Sequence, residues 1–376
     1  MGGDTSDLVI LFAILATRFV VPLFIPRFPL PAILIALVVD AADQSILQKA
    51  TDLDLAGYQS YDKALDIYYL TVAYVSVYRN WTNGYAVEVA RFLWYYRLVG
   101  VLLFEITAER WLLLVFANTF EYFFIAYEVV RTCWDPRRLS RRAVIGMAAA
   151  IWIFVKLPQE WWIHIAQNDF TDFMKETVFG VDPTSSWADA FSNRPFVLVA
   201  IIAVIVGLVV AAFLLRSRLP RRDWPFGVDV DRPTPLVDID GGGERHLPSM
   251  QWPILEKLAL IGLVGGIFSC VLDVDAAAWQ VVGATVLLVL ANAGISAALE
   301  RRGHEWRSIA VEFVVLAVLN IALLLIYAAL VSDNGVNRAL AIFFGLLLTM
   351  IIALFDRFRA ERITKLAALG PIPAPR

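Results

Sequence analysis

The sequence predicts an all-α fold: a polytopic integral membrane helix bundle of about 10–11 transmembrane helices, N-terminus outside and C-terminus cytoplasmic. Three observations predict it. Hydrophobic residues make up 59% of the 376 and charged residues only 18%, with a mean hydropathy of +0.67. Soluble domains sit nearer half apolar and a quarter charged, so this chain has too little polar surface to cover a water-soluble globule. Apolar stretches near the ~20 residues that a hydrocarbon core demands recur along the whole chain. Between them, basic and acidic loops alternate.

Residues 7–25 open the series without the basic n-region of a secretory signal or a small-residue cleavage motif, and read as a retained span. "PLPAILIALVVD" (residues 29–40) is shorter and reads as a tilted span or a re-entrant piece. Spans at 64–77, 87–107, 111–130 and 143–155 complete an N-terminal bundle, 1–157, that carries polar residues within the membrane. An external loop, 158–193, follows. In it Glu160, His164, Asn168 and Asp172 recur every four residues while Trp161, Ile165 and Phe173 mark another side, the pattern of an amphipathic helix lying in the interface. One span occupies 194–218. The stretch 219–253 is a Pro/Gly/Asp-rich cytoplasmic loop whose acidic spacing lacks the ligand register of an EF-hand. The C-terminal bundle, 254–376, has spans at 254–272, 276–297, 309–331 and 336–354 and a basic cytoplasmic tail. It is Leu, Val, Ala and Gly, with Gly262 and Gly266 spaced for close helix approach and Asn292, Glu312 and Asn320 as polar interruptions.

Orientation follows from Lys and Arg. Residues 131–142, 216–222, 300–307 and 356–362 are basic, whereas 40–66, 159–193, 273–275 and 332–337 are acidic or neutral. Eleven spans keep the alternation in phase. Cys133 and Cys270, the two cysteines, then fall at opposite faces and are not expected to pair. Half of the twelve tryptophans, Trp81, Trp94, Trp111, Trp134, Trp161 and Trp162, fall near span ends and read as interfacial belts.

The candidate site lies in the N-terminal bundle. Arg18 and Arg97 fall mid-span, and Asp66 falls one turn into its span. Asn118, Glu121 and Glu128 recur at helical spacing as one stripe. Each charge near the bilayer centre costs at least about 2.5–3.5 kcal/mol on insertion scales, so each needs a partner or water. Arg18 and Arg97 are the expected partners of Glu121 and Asp66, while Glu105 and Glu128 lie near enough to span ends to meet interfacial water.

Asp40 and Asp43, then Gly57, then Asp62 and Asp66 form a spaced acidic series. With Thr17–Pro22 ahead of it, the series resembles, over about a sixth of the chain, the CDP-alcohol phosphatidyltransferase motif, whose carboxylates hold two divalent metals. The resemblance implies metal ligands at Asp40, Asp43, Asp62 and Asp66, with the last as base, and a lipid-linked substrate. The chain departs from the motif: Gln44 replaces its glycine, Leu47 and Gln48 replace Ala-Arg, and the step from Gly57 to Asp62 is one residue long. Charge bias also places the loop outside, whereas that family's site is cytoplasmic.

The leading expectation is therefore a multi-pass plasma-membrane transporter or channel-like protein with a polar solute, ion or lipid-headgroup site among the N-terminal spans. A membrane-embedded lipid-modifying enzyme and a structural or assembly subunit are the alternatives. Membrane lipids are the expected partners, and a second copy or a partner membrane subunit stays open. The formal net charge of −3 and the lack of long basic runs argue against nucleic acid. No cofactor motif is legible. The topology has a direct test. Cysteine tags near Arg138, Arg221 and Arg357 are expected to be shielded from outside reagents in intact cells, and tags near Asn168 and Asn334 to react; labelling of both groups from one side contradicts the eleven-span order.

Overall fold

The computed structural model describes residues 5–52, 58–168, 170–215, 220–230, 253–271, 283, 286–292, 294, 307–331 and 338–368. Among these residues there is no strand. The long elements are α1 (Thr5–Val20), α2 (Pro29–Ala50), α3 (Tyr58–Asn80), α4 (Gly84–Thr107), α5 (Trp111–Val115), α6 (Thr119–Arg131) and α7 (Arg141–Ile165). After them come α8 (residues 170–179), α9 (Trp187–Asn193), α10 (Pro195–Leu215), α11 (Pro253–Val271), α12 (Arg307–Val331) and α13 (Arg338–Ala368). Five helical segments are long and apolar enough to cross a membrane: Thr5–Phe24, Pro29–Ala50, Trp111–Arg131, Arg141–Ile165 and Arg338–Ile363. The sharply bent pair Trp187–Asn193 and Pro195–Ala211 makes a sixth if it counts as one span.

The outer surface is apolar. Phe12, Val38, Phe154, Phe196 and Phe213 are each at least 66% exposed, and α10 shows apolar side chains along its length. Large apolar side chains exposed in this number suit lipid better than water. The interior is the reverse. α3 carries six tyrosines and is buried along nearly all of its length; it packs on α13, α4, α11 and α1. Its composition is too polar for a lipid-facing helix because it faces protein.

Four expectations are corrected here. The apolar run at 29–40 is not a short or re-entrant piece. α2 continues to Ala50, so the polar residues from Asp40 onward end the apolar run but not the helix, and Asp40 and Asp43 lie inside it. The stretch 111–130 is not one uninterrupted helix: α5 stops at Val115 and α6 starts at Thr119, with Asn118 as the residue before its first turn. The helix expected to end near residue 155, before an external amphipathic segment, runs on to Ile165 through π-helical turns at Trp152–Lys156 and Trp161–Ile165. Lys156 and Glu160 are buried as a result, while Asn168 and Asp172 remain exposed. Trp81 and Trp94 are core residues, not belt residues: Trp81 lies 3.8 Å from the Tyr127 ring and Trp94 5.3 Å from Phe120.

Small residues set two close approaches. A Cβ on Gly100 would overlap Phe116 at the α5–α6 break, and one on Gly266 would meet Leu102 of α4 at 3.3 Å. In the C-terminal part Asn292, Asn320 and Thr349 form a buried hydrogen-bonded triad, with Asn292 Nδ2 to Asn320 Oδ1 at 2.7 Å and Asn320 Nδ2 to Thr349 Oγ1 at 2.9 Å. Gly57, Asp273, Asp275 and Asn334 fall outside the described residues, as does the side chain of Glu312.

Gly100→Val is expected to lower detergent thermal stability by about 1–3 kcal/mol through overpacking against Phe116. Gly146, whose Cβ would meet nothing within 4 Å, is the control: Gly146→Ala should leave the melting temperature nearly unchanged.

Candidate functional site

α1 delivers Arg18 in its last turn, and its side chain is 3% exposed. Asp40 and Asp43 are three apart on α2, Asp62 and Asp66 four apart on α3, so each pair shares a helix face. Those two faces and α1 enclose the guanidinium. One terminal nitrogen of Arg18 donates to Asp43 and Asp62 and, at 3.4 Å, to the Tyr58 hydroxyl; the other donates to Asp40 and, at 2.5 Å, to Asp66. Tyr58, four residues ahead of Asp62 on the same helix side, also donates to Asp43. Asp43 is buried with Arg18, at 3%, but Asp40, Asp62 and Asp66 are 28%, 39% and 44% exposed. Beside them is a small cleft of about 170 Å³ lined by Gln44, Tyr58, Gln59, Asp62 and Lys63.

The carboxylate oxygens of Asp40, Asp62 and Asp66 lie within 4.8 Å of one another, a hard-oxygen set of the kind a divalent cation takes. The guanidinium nevertheless bridges all four carboxylates. A resident metal pair does not fit among these side chains unless Arg18 leaves them.

A second polar network lies next to the first. Three residues on from Asp66, the Tyr69 hydroxyl donates to Glu121 Oε1 at 2.6 Å. Asn118 Nδ2 donates to Glu121 Oε2 at 3.0 Å, and the Asn118 backbone N–H to Glu160 Oε1 at 3.2 Å. Glu160 also pairs with His164 at 3.0 Å and Lys156 at 3.8 Å. Lys156 stands over the Tyr122 ring, 4.3 Å from its centroid.

The break that makes this network is held by α4. Tyr96 donates to the Val115 carbonyl at 2.8 Å and Arg97 to the Phe116 carbonyl at 3.1 Å, the last carbonyls of α5. Arg97 therefore satisfies backbone that the broken helix leaves open, and among the described residues it makes no ion pair with Glu121 or Asp66. Arg18 reaches Asp66 but not Glu121. The expected stripe is split: Asn118 and Glu121 meet at the break, while Glu128 is two turns on. Nor does Glu128 meet interfacial water; it is 2% exposed, accepts from Trp81 Nε1 at 2.6 Å and pairs with Arg131 at 3.2 Å.

Sequence reasoning missed Tyr58, the inward turn of Lys156 and Glu160, and a third cluster. Tyr74 and Tyr78 donate to Glu256 Oε1, which also pairs through Oε2 with Arg359 at 3.2 Å, while Lys257 pairs with Asp356 at 2.6 Å. This cluster ties α3 to α11 and α13. The i, i+4 spacing of Tyr58 with Asp62 and of Tyr74 with Tyr78 was the available signal.

No protein-family model matches the chain, and neither a curated protein nor a solved structure does. The site stands on its own geometry.

That geometry revises one expectation about coupling. Because Arg97 bonds a carbonyl and reaches Glu121 only through its charge, Glu121→Gln and Arg97→Gln should each destabilise the protein, with a coupling at or below the low end of the roughly 0.5–3 kcal/mol seen for residues in contact. Rescue of Glu121→Gln by Arg97→Gln, in detergent melting of both singles and the double, would show that the two are ion-paired after all.

Proposed function

We propose that the chain is a membrane transporter or channel-like protein whose solute is a cation, taken at the aspartates around Arg18. One observation carries this reading: a single buried guanidinium is shared by four carboxylates, three of which are partly exposed and one of which, Asp62, lines an open cleft. If all ionise, one positive charge faces four negative ones. Carboxylates this close in a low-dielectric site do not all stay ionised without further positive charge. A solute cation supplies it, and the partly exposed Asp40, Asp62 and Asp66 are its ligands. Asp43, locked to Arg18 and Tyr58, orients the guanidinium. Intramembrane ionisable groups that border a cavity mark solute and ion paths more often than they mark packing.

The convergence of the four aspartates also favours a second reading, the metal-dependent lipid-modifying enzyme whose motif the acidic series resembles. The place of Arg18 counts against it, since a metal pair must displace the guanidinium.

The test is a ligand panel on the purified protein in detergent, read by thermal shift and then by flux in proteoliposomes. The panel holds organic ammonium and guanidinium ions, alkali-metal ions, magnesium, manganese and simple anions. The expected result is stabilisation by an organic or alkali cation, lost in Asp62→Asn and in Asp66→Asn, with flux of that cation. Stabilisation by magnesium or manganese alone would favour the enzyme. A response to none of the cations, or one unchanged in both variants, contradicts the proposal.

A further inference from the structure

The break between α5 and α6 differs from the aspartate site in its chemistry. Two interruptions face each other there: the α5–α6 break, and the second π-helical turn of α7, packed against α5. Such interruptions are frequent at functional sites and, in membranes, persist where backbone lines a site and not where it meets lipid. α4 adds the fitted Gly100 contact and two hydrogen bonds that hold the break open. Asn118 is 9% exposed, and its Oδ1 is buried with no hydrogen-bond partner. A buried acceptor left bare costs about 1–3 kcal/mol. Its other polar atoms hold two carboxylates, Glu121 through Nδ2 and Glu160 through the backbone N–H.

We infer that this break is a proton-binding site, in which Asn118, Glu121, Glu160 and His164 take up one proton as a second ligand of the protein. The charges support a proton over a metal cation. Glu121 and Glu160 face Lys156 and Arg97, and the Asp40 carboxylate of α2 also acts on Glu121, so three carboxylates meet two cations and one proton balances the set, whereas a divalent metal ion would leave an uncompensated charge beside Lys156. The remaining titratable neighbours are Tyr69 on α3 and Tyr122 on α6, both phenols. α5, which packs on the π-turn, carries no titratable side chain. His164 is the group open to solvent, its side chain 21% exposed against 6% for Glu160. Its Nε2 lies 3.0 Å from Glu160 Oε2, which marks the side from which water reaches the break. Glu160 stays a carboxylate, held by His164, Lys156 and the Asn118 N–H, and a proton from water forms an O–H bond on the buried Glu121, which can then donate where it now only accepts. Asn118 Oδ1, on the amide that already meets Glu121, is the unfilled acceptor of the set. Through Tyr69, three residues from Asp66, the proton's charge is felt at the aspartates. The coupling of this site to solute rests on the function proposed above; its occupation by a proton does not.

Infrared difference spectroscopy of the purified protein across a pH titration reads the proton directly. The expected result is a carbonyl band of a protonated carboxylic acid that titrates in the wild type, is lost in Glu121→Gln, and shifts in frequency in Asn118→Ala. His164→Ala, at a part-exposed position, should fold normally and move the midpoint of the titration. Glu105→Gln, whose carboxylate pairs with Lys63 near the surface, should leave the band unchanged. A band absent from the folded wild type, or one that survives Glu121→Gln, overturns the inference. Because this readout needs no solute, it fails or succeeds independently of the ligand panel.

Discussion

Taking an ion out of water into an apolar bundle costs several kcal/mol even after relaxation, and the cost returns only when the partners are close and well placed. Arg18 is held under that constraint. Its guanidinium is nearly inaccessible, and every residue that meets it comes from α2 or α3. The consequence is geometric. α1, α2 and α3 have to meet with these residues level, which sets the register of the first three helices. α3 then carries the constraint through the rest of the molecule: Tyr69 reaches the α5–α6 break, and Tyr74 and Tyr78 reach Glu256 beneath α13.

Satisfied polar groups inside a bundle specify an arrangement more than they stabilise it. The apolar faces of these helices are alike in Leu, Val and Ala and would pack in several registers. The polar contacts distinguish among them. The Asn292–Asn320–Thr349 triad does this for the C-terminal helices, and Glu128, Trp81 and Arg131 do it at the end of α3. What separates the Arg18 cluster from these is surplus charge and an open side. The structural clusters are matched and closed; the aspartates are neither.

Much of the architecture was legible in the sequence, and the failures share a cause. Apolar content and length pointed to the five helical segments, or six with the bent pair, that among the described residues are long and apolar enough to cross a membrane, out of the 10–11 spans expected, and the price of an intramembrane charge singled out Arg18, Asp66 and Glu121. Hydropathy cannot separate lipid-facing from protein-facing residues, so α3 read as an ordinary span and Trp81 and Trp94 as belts. Hydropathy also ends a helix where apolarity ends, which cut α2 at Asp40 and moved Glu160 outside. The break at Phe116–Asn118 had no such signal, because the residues that make it, Tyr96, Arg97 and Gly100, lie on another helix. Helical arithmetic on one segment does not see its neighbour. The acidic series was legible as a series; that its centre is an arginine from α1 follows only from the packing of three helices.

The central claim is that Arg18 and the buried aspartate beside it act as one unit. A double-mutant cycle of Arg18→Gln and Asp43→Asn, read as unfolding free energy in detergent or lipid, measures this coupling and needs no knowledge of the solute. The account expects each single change to be strongly destabilising and the double to be less so than their sum, with a coupling on the order of 0.5–3 kcal/mol. Additivity of the two changes would mean that the guanidinium and the carboxylate do not depend on each other, and would contradict it.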